Sequence, residues 1–190
     1  MLTRRNFAIG VGASLALIAT PRPPAAGTPF EGLGETFRGI ERRTGGRLGV
    51  AVLDPKTGDT AGHRADERFP MCSTFKLLAA AALLARVDAG VETLDRAVAV
   101  RAEDIVAYSP ETEKHVGGTM PLAALCEAAI TLSDNTAANL LLSVLDGPGG
   151  VTAYVRSLGD TVTRLDRVEL EVNEAAPGDP RDTTTPAAMA

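Results

Sequence analysis

The sequence predicts an α+β fold, an α/β sandwich in which a short amino-terminal helix and β-hairpin precede a long run of helices. Three observations carry this prediction. Apolar residues recur at helical steps between Phe30 and Arg42, two short β-type runs flank a turn cluster up to His63, and helical patterning then continues almost unbroken to about residue 158.

In the first helix Phe30, Leu33, Phe37 and Ile40 are spaced by three or four, with Glu and Arg between them, and the helix stops before Gly45-Gly46. Leu48 to Leu53 reads as a strand, Asp54-Pro55-Lys56-Thr57-Gly58-Asp59 as a turn, and the residues through His63 as its partner strand. Ser73 to Asp88 is helical and apolar on every side from Leu77 to Ala85, which predicts a helix buried in the middle of the domain with Gly90 as its cap. Thr119 and Pro121 start a helix running to about Leu132, residues 136–145 form the next, closed by Gly147-Pro148, and residues 150–158 another, closed by Gly159. Residues 161–184 lack sustained periodicity and are rich in charge, so they read as a long irregular loop, a kind that is usually functional. Thr185 and Pro186 then supply an N-cap and a first helical position, and the sequence stops within a turn; so short a helix does not repay its nucleation cost, so a truncated chain is expected.

Composition narrows the function. The formal net charge is −5, and the first 26 residues hold three arginines and no acidic residue, so without them it is −8. No basic stripe exists to hold a phosphate backbone, so no nucleic-acid partner is expected. Thr3-Arg4-Arg5-Asn6-Phe7 places paired arginines before a modest apolar run, Ala8 to Ala19, too short to span a bilayer comfortably. We read residues 1–26 as an export signal, of the twin-arginine type in preference to the Sec type, giving a periplasmic or secreted protein with no stable membrane association. Residues 27–66 then form the amino-terminal helix and hairpin, and 67–190 a helical domain containing the loop; a monomer is expected. Cys72 and Cys126 lie in apolar helical stretches, where a lone Cys is more often a small buried hydrophobe than a disulfide partner. Two His and two Cys, widely scattered, offer no metal cage, and no cofactor is expected.

The chemistry is carried by three short segments. Ser73-Thr74-Phe75-Lys76 stacks a hydroxyl and an amine on one helix face. An S-x-x-K arises about once by chance in a chain of this length, and a snorkelling lysine beside a capping serine would explain it. Yet the chain uses sixteen arginines and only three lysines, and one lysine opens the most apolar helix. Lys, unlike Arg, can have its pKa lowered by burial until it accepts a proton. Ser133-Asp134-Asn135 falls at a helix junction, where it either caps the next helix or projects side chains into a cleft. Within the loop, Glu169 and Asn173 are four apart and could hold one water between carboxylate and amide if the segment makes a helical turn; otherwise this is a charged loop.

In this order the three segments resemble the class A active-site-serine β-lactamases, for which S-x-x-K with S-D-N is a known signature. The likeness runs from about Phe30 to Ala190 and is closest in wording at Met71–Leu78, Ala128–Leu142 and Arg164–Ala190. It implies a β-lactamase/D,D-peptidase-like fold whose helical domain is essentially complete, with its five-stranded antiparallel sheet represented only by the amino-terminal hairpin. It implies Ser73 as nucleophile, Lys76 assisting its deprotonation, Ser133 passing a proton to the departing ring nitrogen, and Glu169 with Asn173 activating the deacylating water. Asn135 would bind the substrate's side-chain amide, Tyr108 would wall the cleft, and Arg167 with Asp182 would close the base of the loop. Val168 and Leu170 depart from the aromatic residue and proline usual beside the glutamate. The family's K-T-G strand follows the loop, beyond the end of this chain, and Lys56-Thr57-Gly58 is a turn and not its equivalent. The substrate would be a small β-lactam. Two alternatives stand beside hydrolysis: a cell-wall D,D-peptidase or penicillin-binding protein, against which Glu169 and Asn173 argue, and a non-catalytic fragment.

Overall fold

The computed structural model describes residues 30–190, so the export-signal reading lies outside the described residues. Helix α1 (Leu33–Thr44) ends at Gly45, whose φ of 71° only glycine adopts freely and whose N–H donates to the Glu41 carbonyl. Strands β1 (Val50–Leu53) and β2 (Thr60–His63) pair antiparallel, with Val50 opposite His63 and Leu53 opposite Thr60. Lys56-Thr57-Gly58 is the exposed turn between them, where Asp54 Oδ1 accepts from the Lys56 N–H and the Asp54 carbonyl from the Gly58 N–H, both at 2.8 Å.

Glu41 fastens α1 to the hairpin. Its carboxylate accepts from Arg64 Nε at 2.7 Å and from the Leu48 N–H at 2.9 Å, and lies 2.9 Å from His63 Nε2. Arg64 first, then Leu48 and His63, hold its pKa down to about 2. At Gly49 the chain passes so close to Phe69 and Pro186 that a Cβ would collide with both, which seats the hairpin on the segments that flank the site.

Strand β3 (Phe69–Pro70) leads through a 3₁₀ turn at Cys72–Thr74 into α2 (Phe75–Asp88). This helix buries Phe75, Lys76, Ala79, Ala82 and Leu83, but Leu77 is 58 % and Leu84 45 % exposed. The expectation of burial on every side is therefore corrected. The other helices pack on one side of α2 only, and composition that is apolar all round carries no information about which side that is.

A second correction concerns residues 119–121. Thr119 and Pro121 do not begin a helix; they belong to β5 (Thr119–Pro121), paired antiparallel with β4 (Ala97–Ala99), with Met120 opposite Val98. Pro121 has ψ 153°, an extended conformation, and α3 (Leu122–Thr131) starts one residue later. Helices α4 (Asn135–Val144) and α5 (Pro148–Ser157) follow, the latter with Pro148 in its first turn. Leu122, Leu125, Leu141, Leu142 and Leu145 meet Phe75 and Leu83 in one core. Cys72 and Cys126 are unpaired.

The segment from 161 to 184 is irregular apart from a 3₁₀ turn at Glu171–Asn173 and strand β6 (Thr183–Thr184) at its end, which pairs with β3. Helix α6 (Pro186–Met189) begins as expected, with Thr185 Oγ1 accepting from the Ala188 N–H at 3.2 Å.

Candidate active site

Ser73 lies in the 3₁₀ turn that opens α2, and Lys76 in the helix's first turn. The hydroxyl is exposed while the lysine side chain is only 3 % exposed. An ammonium taken out of water needs acceptors, and Lys76 Nζ has three: the Ser133 carbonyl at 2.8 Å, Ser133 Oγ at 3.1 Å and Asn135 Oδ1 at 2.6 Å. Ser133 Oγ in turn reaches Ser73 Oγ at 3.2 Å, so the two serine hydroxyls and the amine form one chain of contacts.

The junction between α3 and α4 makes this convergence. Ser133 has φ 56°, in the left-handed region where a non-glycine residue costs roughly 1–2 kcal/mol. Asp134 holds the turn in place. Its carboxylate caps α4 by accepting from the Ala137 N–H at 2.8 Å and grips the 111–112 segment through the Glu111 and Thr112 N–H groups, each at 3.0 Å. Burial opposes its ionisation, but these bonds and that from Thr112 Oγ1 outweigh it and hold the carboxyl below its ordinary range. Both sequence readings of the tripeptide are thus realised: Asp134 caps, and its two neighbours face Lys76.

Glu169 arrives from the loop with its side chain fully buried. Oε1 lies 3.2 Å from Lys76 Nζ, within ion-pair distance, and has no hydrogen-bond partner among the described residues. Oε2 accepts from Asn173 Nδ2 at 2.6 Å, so the four-residue spacing does place the amide on the carboxylate. The Glu169–Leu170 peptide is cis, with leucine rather than proline after the bond.

Asn139 is a site residue that the sequence reading missed. Its Oδ1 accepts from the Glu169 N–H at 2.9 Å and its Nδ2 donates to the Glu169 carbonyl at 3.0 Å, so α4 grips the glutamate's backbone from both sides. Asn139 is four residues beyond Asn135, on the same face of the helix.

At the base of the loop, Asp182, 1 % exposed, accepts from Arg167 Nε at 2.5 Å and from the Asp166 and Arg167 N–H groups at 2.7 and 2.9 Å. The predicted pair is formed, and Arg167 also meets Glu174. Tyr108 joins the site through its backbone, its carbonyl accepting from the Asn135 N–H at 3.0 Å, while the residue is 67 % exposed with φ 63°.

The hollow beside the nucleophile has a volume of about 360 Å³ and is lined by Ser73, Lys76, Leu77, Ile130, Ser133 and Met189 among others. A second hollow, of about 530 Å³, touches Glu169 from the Asn139 and Val168 side. Glu169 Oε1 itself lies against Lys76 Nζ. Such a site can pass a proton between hydroxyls through a buried amine and hold a water on a carboxylate, which are the needs of covalent hydrolysis through a serine ester.

Comparison with known proteins agrees with this geometry. Residues 32–190 match the family model described as the beta-lactamase enzyme family. An ancestral class A β-lactamase superposes with a TM-score of 0.82 at 69 % identity, over 83 % of this chain and 61 % of its own. The class A β-lactamase of the last common ancestor of Gram-negative bacteria gives 0.81 at 68 %, over 84 % and 61 %. A β-lactamase from Xanthomonas campestris pv. campestris gives 0.80 at 52 %, over 82 % and 58 %. The chain thus spans about 61 % of the length of the ancestral enzymes it resembles.

Proposed function

The chain belongs to the beta-lactamase enzyme family, and from that premise we propose that its site opens the β-lactam amide of penicillins and cephalosporins through an acyl-enzyme on Ser73. The observation that carries this reading is the buried Lys76, in contact at once with Ser133 Oγ and Glu169 Oε1, with Ser73 Oγ reached through Ser133.

Attack by Ser73 Oγ on the lactam carbonyl requires the hydroxyl's proton to leave: Ser133 Oγ takes it while passing its own to Lys76, whose amine is neutral for this step, and Lys76 later returns a proton to Ser133. Collapse of the tetrahedral intermediate breaks the C–N bond, and the ring nitrogen takes a proton from Ser133. Hydrolysis of the ester then needs a water beside a base. Glu169 supplies that base, since Oε1 has an acceptor site that no protein donor fills and Asn173 fixes the other oxygen. Asn135 would receive the substrate's amide, Tyr108 would form one wall, and Arg167 with Asp182 would hold Glu169 in register. The contact of Asn173 with the buried Glu169 carboxylate favours hydrolysis over a D,D-peptidase reaction, which has no need for a deacylating glutamate.

The same reading makes residues 1–26 an export signal and the mature protein a periplasmic or secreted monomer that confers β-lactam resistance. The test uses the chain freed of residues 1–26, a chromogenic cephalosporin and intact-mass detection. Sustained turnover with a transient adduct on Ser73 would support the hydrolase. A stable adduct without turnover would transfer the assignment to the peptidase class, and neither adduct nor turnover would end it.

A further inference from the structure

A cavity of about 610 Å³, sharing no lining residue with the hollow beside Ser73, lies between the long loop and the β2–β3 segment. Its charged groups are Arg47, Glu67, Arg68 and Asp179, and its apolar walls include Pro70, Ala176 and Pro177. The two carboxylates are already matched. Glu67 pairs with Arg64 at 2.9 Å and Arg47 at 3.1 Å, and Asp179 pairs with Arg181 at 2.6 Å. Arg47 also lies over the Phe69 ring, 4.0 Å from its centroid. Arg68 differs. Its one bonded nitrogen, Nη1, donates to two neutral acceptors, the Val162 carbonyl at 3.0 Å and Thr183 Oγ1 at 2.9 Å, and no carboxylate among the described residues lies within ion-pair distance.

A guanidinium with no counter-ion among the described residues, lining a space of drug-like volume with proline and alanine walls, fits a carboxylate attached to a compact apolar body. We propose that this cavity is a binding site for amphipathic carboxylates, with the anion on Arg68 and the apolar body against Pro70, Ala176 and Pro177. The site is separate from the Ser73 hollow, and the proposal does not depend on the activity assigned there. It has a mechanical consequence. Arg68 joins Val162 at the start of the loop to Thr183 at its end, so a bound anion sits on the brace of the segment that carries Glu169.

The test is titration of the full chain with 4-phenylbenzoate, followed by amide NMR and by thermal melting. Saturable shifts at Gly178 and Thr183 with a rise in Tm are expected. The uncharged 4-phenylbenzamide, and the variants Arg68→Gln and Ala176→Trp, should each bind at least about tenfold more weakly. Ala176→Trp fills the cavity without touching the Arg68 bonds, so it decides the matter even if Arg68→Gln does not fold. Four results would each overturn the proposal: no saturable binding, equal affinity for the benzamide, undiminished binding by Ala176→Trp, or shifts centred on Ser73 and Ser133. Inorganic phosphate should bind more weakly than the probe, and equal affinity would refute the apolar half of the site.

Discussion

Each polar side chain at this site answers for a particular atom. Glu169→Ala removes the only carboxylate in contact with Lys76 among the described residues but leaves the Lys76–Ser133–Ser73 chain. Deacylation should therefore fall by about 10²–10⁴-fold while acylation persists, seen as accumulation of a Ser73 adduct by mass. Prompt loss of acylation with no adduct would assign Glu169 a different main role. Asn139→Leu leaves the Glu169 N–H and C=O without partners and should cost about 1–3 kcal/mol in urea unfolding, where an unchanged midpoint would refute the double grip. Ser73 with Lys76, Ser133-Asp134-Asn135, and Glu169 with Asn173 stood out in sequence by residue type and spacing, while their roles came from the resemblance to class A β-lactamases. Asn139 did not stand out, because an asparagine whose work is on another segment's backbone looks, in sequence, like any polar helix residue.

At the level of elements, the amphipathic α1, the hairpin and the capped α6 could be read locally, since period, turn residues and caps all lie within a few positions. Strands β3, β4, β5 and β6 could not. Each is two or three residues long, too short for alternation to register, and each is defined by a partner far away, as Phe69 is by Thr184. The burial of α2 was also beyond local reading, because Leu83 and Leu84 are chemically identical. Leu83 is fully buried and Leu84 is 45 % exposed. Leu83→Ala should cost about 2–5 kcal/mol through the cavity it leaves. Leu84→Ala should stay within about 0.5 kcal/mol. Equal losses in denaturant unfolding would mean that α2 is turned differently.

For the molecule as a whole, several carboxylates held below their ordinary pKa, Asp179 and Asp166 of the long loop among them, shape how it meets acid, and two others join elements far apart in sequence. Glu41 joins α1 to the hairpin, and Asp134 joins the 111–112 segment to the start of α4. Both have pKa values below their ordinary ones, Glu41 down from 4.5 to about 2 and Asp134 below 3.8. Below its ordinary pKa each group takes up a proton more readily unfolded than folded, so stability must fall as pH falls. Glu41's contribution is whole above about 4.5 and is lost as the pH descends towards about 2, and that of Asp134 is lost at pH values below 3.8. Tm should accordingly be flat above pH 5 on this account and drop through the 4.5–2 window. Glu41→Gln should lower the plateau and flatten the drop, because a neutral amide keeps some of the geometry and none of the titration. Asp134→Asn should also flatten the drop and in addition release Ser133 from Lys76, so that it alone of the two disturbs acylation at neutral pH. A Glu41→Gln protein with an unchanged acid limb would show that the clamp between α1 and the hairpin contributes nothing to the fold.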